Sequence, residues 1–190
     1  EFLVRSTAQE IGTGAPTEAL KAQVVAIYTY VKWNNFAVIS GQLAYNSTMN
    51  INTTTNIYKA VTEVLGEYVA FINGAPALTV FFARSAGRTV SSASVWGGPP
   101  VAYLAGGRES PEALRITYPS FSTDDMKGFV AAYNAGRAAS SQITLGTNPA
   151  GWLEIIKKDS KGYVELIRVG NREMKGNEFR TLLLDYGIRS

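Results

Sequence analysis

The chain has 190 residues, 46% hydrophobic and 17% charged, with a net charge of +3. That composition belongs to a folded domain able to bury a sizeable core, and it excludes a disordered chain. Without Cys or His, disulfides, thiolate or imidazole metal sites and histidine-based acid–base or nucleophilic chemistry are excluded. Any catalysis must use carboxylates, Lys, Tyr, Ser or Thr. The charge is mild and forms no long basic run, so nucleic acid is not an expected partner. No run of about 18 apolar residues is present to span a membrane.

The chain opens with Phe2 to Lys32, FLVRSTAQEIGTGAPTEALKAQVVAIYTYVK. Gly12 and Gly14 suggest that Glu10 sits in a short loop ahead of a helix. Pro16 suits a first helical turn, where its missing N–H needs no partner, and Thr17 suits an N-cap. Leu20, Val24, Ile27 and Val31 follow at steps of four, three and four, which lays one buried stripe along a helix over 18–32. Lys21, Val25, Tyr28 and Lys32 form a second row that can face a groove or solvent.

Trp33 to Tyr58 carries no charge and is rich in Asn and Thr, which favours loops and short strands. Asn46-Ser47-Thr48 and Asn52-Thr53-Thr54 match the glycosylation pattern by chance. A short helix is expected over 57–65, stopped by Gly66. Tyr68 to Ile72 reads as a strand, Asn73-Gly74 as a hairpin turn, and Ala77 to Ala83 as its partner, apolar enough to be covered on both faces. The 18–32 helix is expected to pack on the sheet holding 77–83.

Arg84-Ser85-Ala86-Gly87-Arg88-Thr89 has two readings. It is a tight strand-end turn that needs its Gly, or a place where small residues let backbone approach a ligand while Arg84, Ser85 and Thr89 donate hydrogen bonds. Trp96 and Tyr103 either stack on sugar rings or fill a core. Ser122-Thr123-Asp124-Asp125 caps a helix over 126–135. Two strands are expected over 151–156 and 162–169 around the turn Asp159-Ser160-Lys161-Gly162. Gly176 to Arg180 then opens a last helix running to about Tyr186, with Gly187 ending it.

Several of these blocks resemble the stage II sporulation protein D / LytB amidase-enhancer family. Glu10 stands at the family's Glu, Glu18-Ala19-Leu20-Lys21-Ala22-Gln23 matches the family's helix start, and the interval between the two Glu residues agrees. AVTEVLGEYVAFINGAPALTVFFARSAGRT, then Val95-Trp96-Gly97, Tyr103-Leu104 and GYVELIRVGNREMKGNEFRTLLLDYGIRS, continue the likeness over most of the chain. The resemblance implies an α+β fold: one domain over 1–190, a mixed or antiparallel sheet, a packed helix near the N-terminus, further short helices and a glycan groove between lobes.

The same resemblance implies an extracytoplasmic bacterial cell-wall protein that cleaves peptide-stripped glycan strands as a lytic transglycosylase. Glu10 would be the catalytic residue, in a cleft floored by the 84–89 turn. Lys21, Tyr28, Arg84, Ser85, Thr89 and Trp96 would meet the substrate, although Lys21 also reads as an ordinary solvated helix lysine. No cofactor is implied. Partners would be peptidoglycan strands and a cell-wall amidase, with membrane attachment only through an anchor or export signal expected upstream of Glu1.

Three departures mark the chain. Tyr28 stands where the family carries Arg, keeping a hydroxyl and losing a cation. The His and Cys zinc ligands of several members are missing from 33–58, and the sequence stops at Ser190, ahead of the family's glycine-rich element. A second reading follows from them, a non-catalytic glycan-binding or amidase-enhancing module.

Overall fold

The computed structural model describes residues 1–37, 43–82, 85, 87–110, 120–160 and 162–183. The fold is α+β, with helices and two small antiparallel sheets, and the chain divides into two units, Glu1–Ala83 and Arg84–Ser190.

The first unit is built on three helices: α1 (Phe2–Ile11), α2 (Thr17–Trp33) and α3 (Asn56–Val64). The stripe read from the sequence is the core of this unit. Leu20, Val24 and Ile27 are fully buried, with Val31 beside them, against Leu3 and Val4 of α1 and Ile57, Ala60, Val61 and Val64 of α3. Helix α1 corrects the expected loop. Its spacing of Leu3, Val4, Ala8 and Ile11 is helical, and Gly12, at φ 81, ends it rather than loosening it. Glu10 therefore projects from the last turn of a helix.

The 43–55 segment runs along α1. Phe2 stacks on Tyr45 with centroids 5.4 Å apart, and Arg5 donates from Nε to the Met49 carbonyl at 3.2 Å and from Nη1 to the Tyr45 hydroxyl at 3.1 Å. The Asn and Thr residues close local turns. Asn46 Oδ1 accepts from Thr48 N–H at 3.1 Å, Asn52 Oδ1 from Thr54 N–H at 2.9 Å, and the Thr55 hydroxyl caps α3. Side chains that hydrogen-bond their own backbone this way favour turns over helix or strand.

The hairpin forms where Asn73-Gly74 predicts it, with both residues at positive φ, but its strands are short. They are β1 (Phe71–Ile72) and β2 (Ala75–Pro76), pairing Phe71 with Pro76 and Ile72 with Ala75. Residues 77–82 are not a strand, which overturns the expected long partner strand and the sheet beneath α2. The backbone pairing goes one bond past Pro76, from Ala77 N–H to the Ala70 carbonyl at 2.9 Å, and stops there. Polar ties to α2 take over: Thr79 Oγ1 donates to the Ala26 carbonyl at 2.7 Å, and Ala70 N–H donates to the buried Thr29 hydroxyl at 3.1 Å.

The second unit holds α4 (Ser92–Trp96), α5 (Thr123–Asn134), the antiparallel sheet β3 (Leu153–Lys158), β4 (Val164–Val169) and β5 (Arg172–Lys175), and α6 (Gly176–Leu182). Its core joins Met126, Phe129 and Val130 of α5 to Ile167, Val169 and Met174 of the sheet, with Trp152 and Leu183. Strand β5 was not expected. It follows β4 through Gly170, at φ 57, where a Cβ would lie 2.2 Å from the Thr144 carbonyl oxygen. Tyr186 and Gly187, the expected end of the last helix, lie outside the described residues.

Helix α5 starts with the cap read from the sequence, as a reciprocal box. Ser122 Oγ accepts from Asp125 N–H at 3.1 Å, and Asp125 Oδ2 accepts from Ser122 N–H at 2.8 Å. The Ser122 hydroxyl, and then its backbone N–H, hold the Asp125 carboxyl below its ordinary 3.8. A depressed folded-state pKa gives stability that is present above the unfolded value and lost as pH falls through the folded one. The melting-temperature gap between the parent and Asp125→Asn should therefore close as pH falls below about 4. A gap that persists unchanged into stronger acid contradicts the cap.

Candidate functional site

Glu10 is half-exposed in the last turn of α1. Its Oε1 accepts a hydrogen bond from the Ala44 N–H at 2.8 Å. Among the described residues Oε2 carries no hydrogen bond and no cation pairs with the carboxylate. Among the described residues, then, one oxygen is held by backbone and the other is left open. The Ala44 contact spans 34 residues and has no local signal in the sequence.

Lys21 is committed within the fold. Its ammonium pairs with Glu63 of α3 at 2.6 Å and Glu18 of α2 at 2.9 Å. The Glu63 hydrogen bond first, and the Glu18 one second, raise its pKa above the ordinary 10.5. This pair straps α2 to α3 at the surface. Tyr28 is half-buried and packs on the three-helix core, and its ring lies 5.8 Å from the Lys32 ammonium. No hydrogen bond joins Tyr28 to Glu10 among the described residues.

The other sequence-predicted contacts belong to the second unit. Arg84 lies outside the described residues. Ser85 Oγ accepts from the Gly87 N–H at 3.1 Å, which closes a local turn. Thr89 sits in a tight antiparallel bridge with 106–110. Its N–H donates to the Arg108 carbonyl at 2.8 Å, its carbonyl accepts from Gly107 N–H at 2.8 Å, and its Oγ1 accepts from Arg108 N–H at 3.1 Å. Arg88 and Glu109 pair alongside at 3.2 Å. Gly106, at φ 75, is required here because a Cβ would meet Ser91 N at 2.5 Å. These contacts are those of a structural turn, and among the described residues the Thr89 hydroxyl only accepts.

Trp96 settles one alternative left open by its sequence. It is 60% exposed at the end of α4, and Tyr103 is also exposed, so neither is core. Lys175 Nζ comes within 2.8 Å of where a Cβ on Gly97 would lie, and Asn177 Nδ2 donates to the Val95 carbonyl at 3.1 Å. The second unit thus presents an exposed indole, with the Lys175 ammonium against the neighbouring Gly97.

Sequence reasoning passed over the end of α2. Lys32, Trp33, Asn35, Phe36, Ala75 and Pro76 line an open groove of about 560 Å³ in the first unit. The signal was present: a lysine, then two aromatics within four residues, entering a charge-free stretch. Among the described residues, no cluster of three or more carboxylates is gathered where it could hold a metal ion, and no helix is long and apolar enough to cross a membrane. Comparison with protein-family models finds no match, and comparison with curated proteins finds none.

Proposed function

We propose that the chain cleaves peptide-stripped peptidoglycan strands as an extracytoplasmic lytic transglycosylase, with Glu10 as its acid and base. The observation that carries this reading is the Glu10 carboxylate, fixed through one oxygen by the Ala44 N–H and open at the other. The likeness of the Glu10 and 18–23 blocks to the sporulation protein D / LytB family supplies the reaction class.

A hydrolase that attacks a glycosidic bond with water usually needs two carboxylates. A lytic transglycosylase needs one. Glu10, protonated, gives its proton to the leaving glycosidic oxygen as the C1–O bond of muramic acid breaks. The ionised carboxylate then takes the proton of the C6 hydroxyl of the same residue as that oxygen bonds to C1. The product is a 1,6-anhydro end, and Glu10 is again protonated, so protons balance without a bound water. Because the nucleophile belongs to the sugar under attack, proximity supplies much of the rate.

Position 28 favours a second reading. The family's Arg is replaced by a half-buried Tyr that packs on the core, so the cation next to the acid is lost. A glycan-binding or amidase-enhancing module with the same scaffold would retain binding without turnover. The two readings separate on one assay, in which peptide-stripped strands are incubated with the full chain and their length followed. Shortening supports the enzyme; binding at constant length supports the module.

A further inference from the structure

We infer that the groove at the end of α2 binds a pyranose bearing a free carboxylate, with Lys32 as the cation that reads it. The inference rests on the glycan reading above and names what the first unit would recognise on the strand: the lactyl carboxylate of muramic acid, which is free on stripped strands and locked in an amide on peptide-bearing ones.

The groove combines three recognition elements. Trp33 and Phe36 are 45% and 58% exposed, and Phe71 beside them is equally open. Exposed aromatic faces in a concave site suit the apolar C–H faces of sugar rings. The second element is charge. Lys32 Nζ lies 5.8 Å from the Tyr28 ring centroid and 5.9 Å from that of Phe71, held over aromatic faces. Among the described residues no carboxylate pairs with it, in contrast to Lys21 with two. A cation poised over apolar faces and lacking an internal counter-charge complements an anionic ligand group.

The third element is preorganisation. Asn35 and Phe36 are both left-handed, at φ 51 and 59. Asn tolerates that conformation; a bulky aromatic does so under strain. Hydrogen bonds from Phe36 N–H to the Val31 carbonyl at 2.8 Å and from Asn35 N–H to the Lys32 carbonyl at 3.1 Å hold the turn. Asn34 Nδ2 also donates to the Ala37 carbonyl at 2.7 Å. A glycine at position 36 would relieve the strain but would remove the ring from the groove wall. Lys32 also lies one turn along the helix from Tyr28, so it restores a cation to the row from which the family's Arg is missing.

The test is calorimetric binding to the full chain carrying Glu10→Gln, so that turnover does not consume the probe. Three probes are compared at low salt: a stripped glycan tetrasaccharide with free lactyl carboxylates, the same compound with those carboxylates amidated, and an oligogalacturonate. The free-carboxylate tetrasaccharide should bind about tenfold more tightly than the amidated one, with the margin narrowing as salt is added. Lys32→Gln should erase the margin, Lys32→Arg should keep most of it, and Trp33→Ala should weaken both forms, all with the parent's melting temperature. Equally tight, Lys32-dependent binding of oligogalacturonate would support the carboxylate site and extend its source to uronic acid polymers. A margin that survives Lys32→Gln, equal binding of free and amidated forms, or no binding of any probe would overturn the inference. Cleavage by the unsubstituted chain is scored separately. Strand cleavage without Lys32-dependent binding leaves the enzyme reading standing, and Lys32-dependent binding without cleavage leaves the groove standing.

Discussion

Glu10→Gln is expected to abolish strand cleavage while leaving melting temperature and glycan binding close to those of the parent. The substitution keeps the shape of the side chain, and the amide oxygen can still accept from the Ala44 N–H that holds Oε1 at 2.8 Å. What is lost is the transferable proton. Removing a general acid alone costs about a hundredfold to ten-thousandfold. In the proposed mechanism the same carboxylate would also serve as base, so the loss should reach the upper end of that range or beyond. Glu10 is half-exposed, so stability should change by no more than about 0.5 kcal/mol. Comparable turnover by parent and variant would remove Glu10 from the mechanism. A variant that fails to cleave because it melts early would be exposed by its thermal transition.

The largest expected stability effect lies in the stripe that organises the first unit. Leu20 is fully buried between α1 and α3. Truncation to Ala removes its transfer free energy and leaves a cavity, at a cost of about 3 kcal/mol. Val24→Ala removes less and should cost about 1–2 kcal/mol. Chemical denaturation of both variants checks this, and midpoints equal to the parent's would mean that the stripe is not core. Because Lys21 straps α2 to α3 from the surface through Glu63 and Glu18, its removal should cost far less than the removal of Leu20.

What could be read from the sequence was local. The α2 stripe, the start of α3 after an Asn/Thr run, the Ser122–Asp125 box and the Asn73-Gly74 turn each depend on residues within a few positions of one another. Their expected conformations are those found. The errors arose where a short-range signal had a long-range competitor. Gly12 and Gly14 pointed to a loop around Glu10, but the apolar residues at 3, 4 and 8 pack into the core with α2 and α3 and make α1 a helix. The run 77–83 looked like a buried strand, but Ala70 N–H is taken by the Thr29 hydroxyl and Thr79 binds α2 instead.

The candidate site divides the same way. Glu10 was singled out only by the resemblance of its block and of 18–23 to the sporulation protein D / LytB family. Its anchor Ala44 was not, because that contact belongs to the folded chain alone. Trp96 and Tyr103 were ambiguous from sequence, since an aromatic ring suits a core and a sugar-stacking surface equally well. Their exposure resolves it. Lys32 was assigned to a second helix row, but its aromatic surroundings depend on Phe71 and the hairpin returning beside α2.

The chemistry of the newly formed strand ends tests the central claim most directly. Peptide-stripped glycan strands digested with the full chain and resolved by mass spectrometry should yield new fragments ending in 1,6-anhydromuramic acid, since attack by the C6 hydroxyl leaves the cleaved muramic residue without a reducing end and the other fragment with a free sugar hydroxyl. Fragments with ordinary reducing ends would show that water is the nucleophile and that a second carboxylate takes part. Strands recovered at full length, with the protein folded and bound to them, would contradict the enzyme and establish the binding module.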